Sequence, residues 1–183
     1  LFENLSFELN SGEVLKISGP NGSGKTSLMK ILAGLNSFET GSIEYDDTKI
    51  NSERYNLDFL YLGHLAALSP ELSCLENLKY TAHLGNNNIN IDFSGALTEV
   101  GLEKFENELV GKLSAGQRKR IALSLLFITQ SKIWLLDEPF SALDSKAIKI
   151  IETRIEDHCN SGGLCILTTH QECNIKNIKE ISL

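Results

Sequence analysis

The segment Gly19-Pro-Asn-Gly-Ser-Gly-Lys-Thr26 constrains this chain more than any other. It follows an apolar, β-like run at 14–18 and opens an amphipathic stretch at 25–35, in which Leu28, Ile31, Leu32 and Leu35 share one helix face. Glycines at 19, 22 and 24 let the backbone turn its N–H groups inward, and the helix N-terminus adds a partial positive charge. The pattern GxxxxGK[ST] is complete, and a strand before it with a helix after it is the context in which such a loop cradles a polyphosphate. Gly19, Pro20, Asn21, Gly22, Ser23, Gly24 and Ser27 are then expected to line a bound ATP. Lys25 is expected to neutralise its β- and γ-phosphates, and the Thr26 hydroxyl to ligate Mg²⁺.

Around this loop, short β-like runs alternate with helical patterns, which predicts a layered α/β domain on a mixed, partly parallel sheet. Strands are expected at 41–45, 58–62, 133–136 and 164–169, and a further helix at 146–158. The middle reads differently: helical stretches at 74–84, 91–100 and 102–109 are broken by a turn at 85–88 and by Gly101. This predicts a helical subdomain of roughly 71–110 inserted into a core of 1–70 and 111–183. At 183 residues, 42% hydrophobic and 22% charged, the chain has the size and composition of one globular domain.

A formal net charge of −7 argues against nucleic acid as a partner. Cys74, Cys159, Cys165 and Cys173 show no metal-ligand spacing, which points to reduced thiols in a cytosol-like compartment. The longest apolar run, 121–128, falls short of the ~20 residues of a membrane helix. The opening residues from Leu1 lack a signal-peptide pattern, and an N-terminal strand is expected upstream of them.

Ile133-Trp-Leu-Leu-Asp137-Glu138 is an apolar strand running into two carboxylates, as when a buried strand delivers charge to an active site. Asp137 is expected to hold Mg²⁺ and Glu138 to act as general base toward water. Alone, such a strand end is often only a turn; the phosphate loop upstream raises it to a catalytic candidate.

Leu113-Ser-Ala-Gly-Gln117 resembles the LSGGQ signature of the ABC ATPases, with Ala115 in place of the first glycine. The resemblance implies a P-loop NTPase fold and a head-to-tail pair of copies. In that pair Ser114, Ala115, Gly116 and Gln117 reach the γ-phosphate of the ATP bound by the other copy. Ser141-Ala-Leu-Asp144 resembles the family's D-loop, which would put Asp144 at the dimer seam; Asp144 or Ser145 is equally suited to N-cap the helix that follows. His170 falls where the family carries its switch histidine, a catalytic position. His64, in Tyr61-Leu-Gly-His64, stands where the family normally has a glutamine that senses Mg²⁺ and water. A neutral imidazole can accept a hydrogen bond from water or ligate a metal there. Arg118, Lys119 and Arg120 crowd the start of the signature helix, either over a polyphosphate or as a solvated basic face.

Taken together, residues 19–27, 60–64, 113–117, 136–140 and 167–171 resemble the heme-exporter ATPases of cytochrome c maturation. That resemblance implies a subunit docked on membrane permease subunits through its helical lobe and the loop 65–72. It places the chain on the cytoplasmic face of an inner membrane, or the matrix face in a mitochondrion, where it powers heme delivery. The chain has no CxxCH, so heme would be handled by partners. Two rival readings share the catalytic residues: a transporter subunit for another substrate, and a soluble ABC ATPase outside transport.

Overall fold

The computed structural model describes residues 2–50, 53–64, 67–84 and 91–183; the turn expected at 85–88 and the first two residues of the expected docking loop lie outside them. The chain forms two compact units, one of Leu1–His64, Ser131–Pro139 and Ile155–Leu183, the other of Leu65–Gln130 and Phe140–Arg154.

The first unit is built on strands β1 (Val14–Ser18), β4 (Phe59–Leu62), β5 (Ile133–Asp137), β6 (Leu164–Thr168) and β7 (Ile178–Ser182). They hydrogen-bond in the order β4-β5-β6-β1-β7, and every pairing is parallel. A parallel sheet covered on both faces favours strands that are apolar at every position, and β5 is buried along its whole length. On one face Leu15, Ile17, Leu135 and Ile166 pack with Leu28, Met29 and Leu32 of helix α1 (Lys25–Leu32). On the other, the His158 ring lies flat on the buried Trp134 indole, centroids 3.7 Å apart.

The sheet is parallel throughout; β2 (Glu44–Tyr45) and β3 (Thr48–Lys49) pair antiparallel as a separate ribbon. Its turn residues Asp46 and Asp47 both have positive φ (48° and 61°), the conformation that suits a two-residue hairpin. The strand expected at 41–45 is therefore only its last two residues. Helix α2 (Glu53–Asp58) leads directly into β4.

The second unit is helical: α3 (Cys74–Leu84), α4 (Phe93–Glu99), α5 (Ala115–Ser124) and the first part of α6 (Ser145–Asn160). Ser73 and Glu76 cap α3 reciprocally, with Ser73 N–H donating to Glu76 Oε2 at 2.8 Å and Glu76 N–H to Ser73 Oγ at 3.2 Å. The helix expected at 102–109 does not form. Gly101 at φ 71° ends the preceding turn. The Glu106 and Glu108 carbonyls then accept from the N–H groups of Leu75 and Cys74, and Leu109 bridges to Ser73. The Leu102 and Phe105 carbonyls accept from the N–H groups of Phe105 and Glu108, three residues on, so the segment runs as successive turns instead of an α-helix. Among the described residues, no helix is long and apolar enough to cross a membrane.

Candidate active site

Because the sheet is parallel, the residues that follow β1, β4, β5 and β6 all emerge at its C-terminal edge, where ligands bind in open α/β sheets. The phosphate loop follows β1, Glu138 follows β5, His170 follows β6, and the exposed His64 lies two residues past β4.

Gly19 adopts φ 142°, and a Cβ there would come within 2.7 Å of the Leu183 carbonyl oxygen and 2.8 Å of Ser23 Oγ. Gly24, at φ 103°, is the N-cap of α1 and brings no capping side chain, so the helix opens with backbone donors that no cap covers. Lys25 is buried, and its Nζ donates to the carbonyls of Gly19 at 2.7 Å and Pro20 at 2.9 Å. Ser23 Oγ is buried with no hydrogen-bond partner among the described residues. Pro20, Asn21, Gly22 and Thr26 are exposed and Ser27 is half-buried. A buried ammonium, uncapped N–H groups and an unsatisfied hydroxyl gathered in one turn fit the phosphates of a nucleotide.

Asp137 ends β5, almost wholly buried, and lies opposite Thr168 in the register with β6. The Thr168 hydroxyl donates to Asp137 Oδ1 at 2.6 Å. Burial, and next the charge of Asp137, push the Tyr61 hydroxyl above its usual pKa. Glu138 then leaves the strand in the left-handed region, φ 50°, a conformation that costs a non-glycine residue roughly 1–2 kcal/mol. Its N–H donates to the Thr168 carbonyl (3.2 Å) and hydroxyl (3.0 Å), which fixes the turn. This turn brings Glu138 Oε1 to 3.5 Å from His170 Nε2, with the carboxylate mostly covered and the imidazole half exposed. A carboxylate facing an imidazole across a gap of this size can accept a proton from water while the histidine orients a polar group. Sequence reading missed Thr168, because nothing but strand register places it against Asp137.

The signature residues form a second constellation, within the helical unit. Ser114 is the N-cap of α5, its Oγ accepting from Gln117 N–H at 3.2 Å while Gln117 Oε1 accepts from Ser114 N–H at 2.9 Å. A Cβ on Gly116 would come within 2.6 Å of the Ala142 carbonyl oxygen, whereas Ala115 is exposed. Asp144 does N-cap α6, with Oδ1 accepting from Ala147 N–H at 2.8 Å. That N–H first, and the Arg120 guanidinium after it, hold the Asp144 carboxyl below the usual aspartate range. The basic triplet is not a solvated face: Arg118 donates to the Leu113 carbonyl at 2.6 Å, Lys119 is buried, and Arg120 pairs with Asp144.

A lysine-bearing phosphate loop and a strand-end carboxylate pair on one sheet edge, joined in sequence to a capped signature helix, define an ABC-type ATPase. The chain belongs to the ABC transporter family, whose profile matches residues 2–141. Within that family it is similar to the cytochrome c biogenesis ATP-binding export protein CcmA of Shewanella oneidensis, 46% identical over 177 residues, which is 96% of this chain and 82% of the relative. The CcmA of Vibrio cholerae is 42% identical over 184 residues, 98% of this chain and 88% of that protein. Among solved structures, an ATP-binding cassette described as a dimer in a post-hydrolysis state with ADP and Pi superposes with a TM-score of 0.81 at 25% identity, covering 92% of this chain and 79% of the other. A putative ABC transporter ATP-binding protein from Pyrococcus furiosus shares the fold, with a TM-score of 0.82 at 24% identity over 95% of this chain and 86% of that one.

Proposed function

We propose that this chain is the ATP-hydrolysing subunit of an export system in cytochrome c biogenesis, powering a heme-delivery step through membrane permease subunits. The observation that carries the catalytic part is the Glu138–His170 couple on the same sheet edge as the Lys25 loop. The particular pathway is supported by the likeness to CcmA.

In this reading Lys25 exchanges the Gly19 and Pro20 carbonyls for phosphate oxygens, and the N–H groups of residues 19–27 complete the cradle. Thr26 and Asp137 would hold Mg²⁺, which when bound would neutralise the phosphate charge. Glu138 takes a proton from the water that attacks the γ-phosphorus, ADP leaves with the bridging oxygen, and His170 and His64 orient the reacting groups. Ser114, Ala115, Gly116, Gln117 and Asp144 face the ATP of a second copy, so two copies close head to tail around two nucleotides. The helical subdomain of about residues 71–110 docks on the permease at the cytoplasmic face of the membrane, by analogy of fold.

Glu138→Gln should bind ATP with parent affinity, lose turnover by about 10²- to 10⁴-fold and accumulate as a dimer. Turnover at the parent rate would remove Glu138 as the base. Lys25→Ala should raise the Kd for ATP by roughly 10- to 100-fold through loss of charge-assisted bonds. Copurification from membranes followed by mass spectrometry tests the pathway: heme-handling membrane proteins support it, and an unrelated permease overturns it.

A further inference from the structure

We propose that Arg120 is a positioning residue: its ion pair with Asp144 locks the segment 141–144 to the first turns of α5, so that both face the second copy's nucleotide as one element. The inference rests on the head-to-tail reading above and assigns a role to a residue outside the phosphate loop and the signature itself.

Asp144 divides its two oxygens between two helices. Oδ1 accepts from Ala147 N–H and begins α6, and Oδ2 accepts from Arg120 Nη2, which projects from the second turn of α5. Both oxygens are thus engaged within the chain, so Asp144 meets the second copy's nucleotide as part of a segment tied to α5. The two segments also approach closely along their backbones. Ala142 is in the left-handed region at φ 61°, and its carbonyl oxygen lies where any side chain at position 116 would collide. Ser114 and Gln117 are occupied with each other in the capping box. From α5, the Arg120 guanidinium reaches across to the 141–144 segment. A cleft of about 600 Å³ lies between Ser114, Gln117 and Arg120 on one side and Ala142, Leu143 and Asp144 on the other.

Side-chain exposures of 24% for Arg120 and 61% for Asp144 make this a solvent-screened pair, of a kind that contributes little to folding. Its geometry is better explained by alignment: the signature N-terminus must be held within a fraction of an ångström of a phosphate to stabilise charge there. Losing the tie should therefore disturb turnover while leaving both the fold and the phosphate loop intact.

The test uses the full chain with Arg120→Gln, Asp144→Asn, the double variant and Arg120→Lys. Asn at 144 keeps a cap acceptor for α6 while removing the charge. Each variant is measured for Tm, for ATP affinity under conditions where single copies predominate, and for kcat and KM. The expected result is a Tm within about 3 °C of the parent, unchanged single-copy ATP affinity and kcat reduced about 10- to 100-fold in both single variants. The double variant should be no worse than either single, because both remove the same tie. Arg120→Lys should recover part of the loss. Parent turnover in Arg120→Gln, multiplying losses in the double variant, or a fall in Tm that tracks the loss of turnover would overturn the clamp. If the parent protein itself binds ATP but hydrolyses none, the function proposed above falls and the clamp with it, a result distinct from parent turnover in the variants.

Discussion

Thr168 offers one hydroxyl, and that hydroxyl serves both carboxylate residues at the end of β5: it donates to Asp137 Oδ1 and accepts from Glu138 N–H. Thr168→Val keeps the shape and deletes both bonds. The buried carboxylate would lose its described donor, so stability should drop by about 1–3 kcal/mol and turnover should fall with it. Thr168→Ser should restore most of both, checked by thermal denaturation and ATP hydrolysis in parallel. Tyr55 makes a pH-dependent counterpart in the apolar core. Its hydroxyl donates to the Leu32 carbonyl at the end of α1, and burial pushes its pKa up to about 12. The unfolded tyrosine titrates near 10, so the neutral form stabilises the fold fully below about pH 10 and that contribution fades as pH rises toward 12. A rise of that size corresponds to about 2–3 kcal/mol of preference for the neutral hydroxyl. Urea midpoints measured from pH 9 to 11.5 should fall steeply in the parent and less steeply in Tyr55→Phe, which starts lower for want of the hydrogen bond.

Elements announced themselves in the sequence where burial is continuous and disappeared where it is not. The apolar runs of β1 and β5 and the helical period of α3 could be read directly, because their apolar side chains are the buried ones: Val14, Leu15 and Ile17 in β1, Ile133 to Leu136 in β5, Leu78 and Ala82 in α3. Edge strand β7 went unread: only Ile178 and Ile181 turn partly inward, and Lys179, Glu180 and Ser182 are exposed. The periodicity at 102–109 was misleading in the opposite sense, since Leu102 is buried while the backbone that follows closes three-residue turns at Leu102 and Phe105. The α5 N-terminus also explains the departure from the usual signature. Ala115 is exposed, while position 116 faces the Ala142 carbonyl. Gly116→Ala should therefore destabilise by roughly 1–3 kcal/mol or force the 141–144 segment away, whereas Ala115→Gly should change the denaturation midpoint little.

At the scale of the whole molecule, the site residues with local chemistry were legible and those placed by register were not. The phosphate loop declares itself by its glycines and lysine, and Asp137 and Glu138 by ending an apolar run. The pairing of Asp137 with Thr168, and of Arg120 with Asp144, required the fold. The cysteines allow a global check on that fold. Cys74, Cys159 and Cys165 are buried and Cys173 is partly exposed. Burial also raises the pKa of all three enclosed thiols, Cys159 to about 11, Cys165 well above its ordinary value and Cys74 by less. Since the thiolate is the nucleophile, exclusion and protonation act in the same direction. At pH 8 a water-soluble disulfide reagent should modify one thiol per chain quickly, and Cys173→Ser should abolish that fast phase. The other three should react only along the urea unfolding transition, Cys74 reporting on the helical unit and Cys159 and Cys165 on the sheet unit. Fast reaction of Cys159 or Cys165 in the native protein would mean that the packing of α6 against the sheet opens readily, and would count against the buried β5–β6 core from which Asp137 and Glu138 emerge.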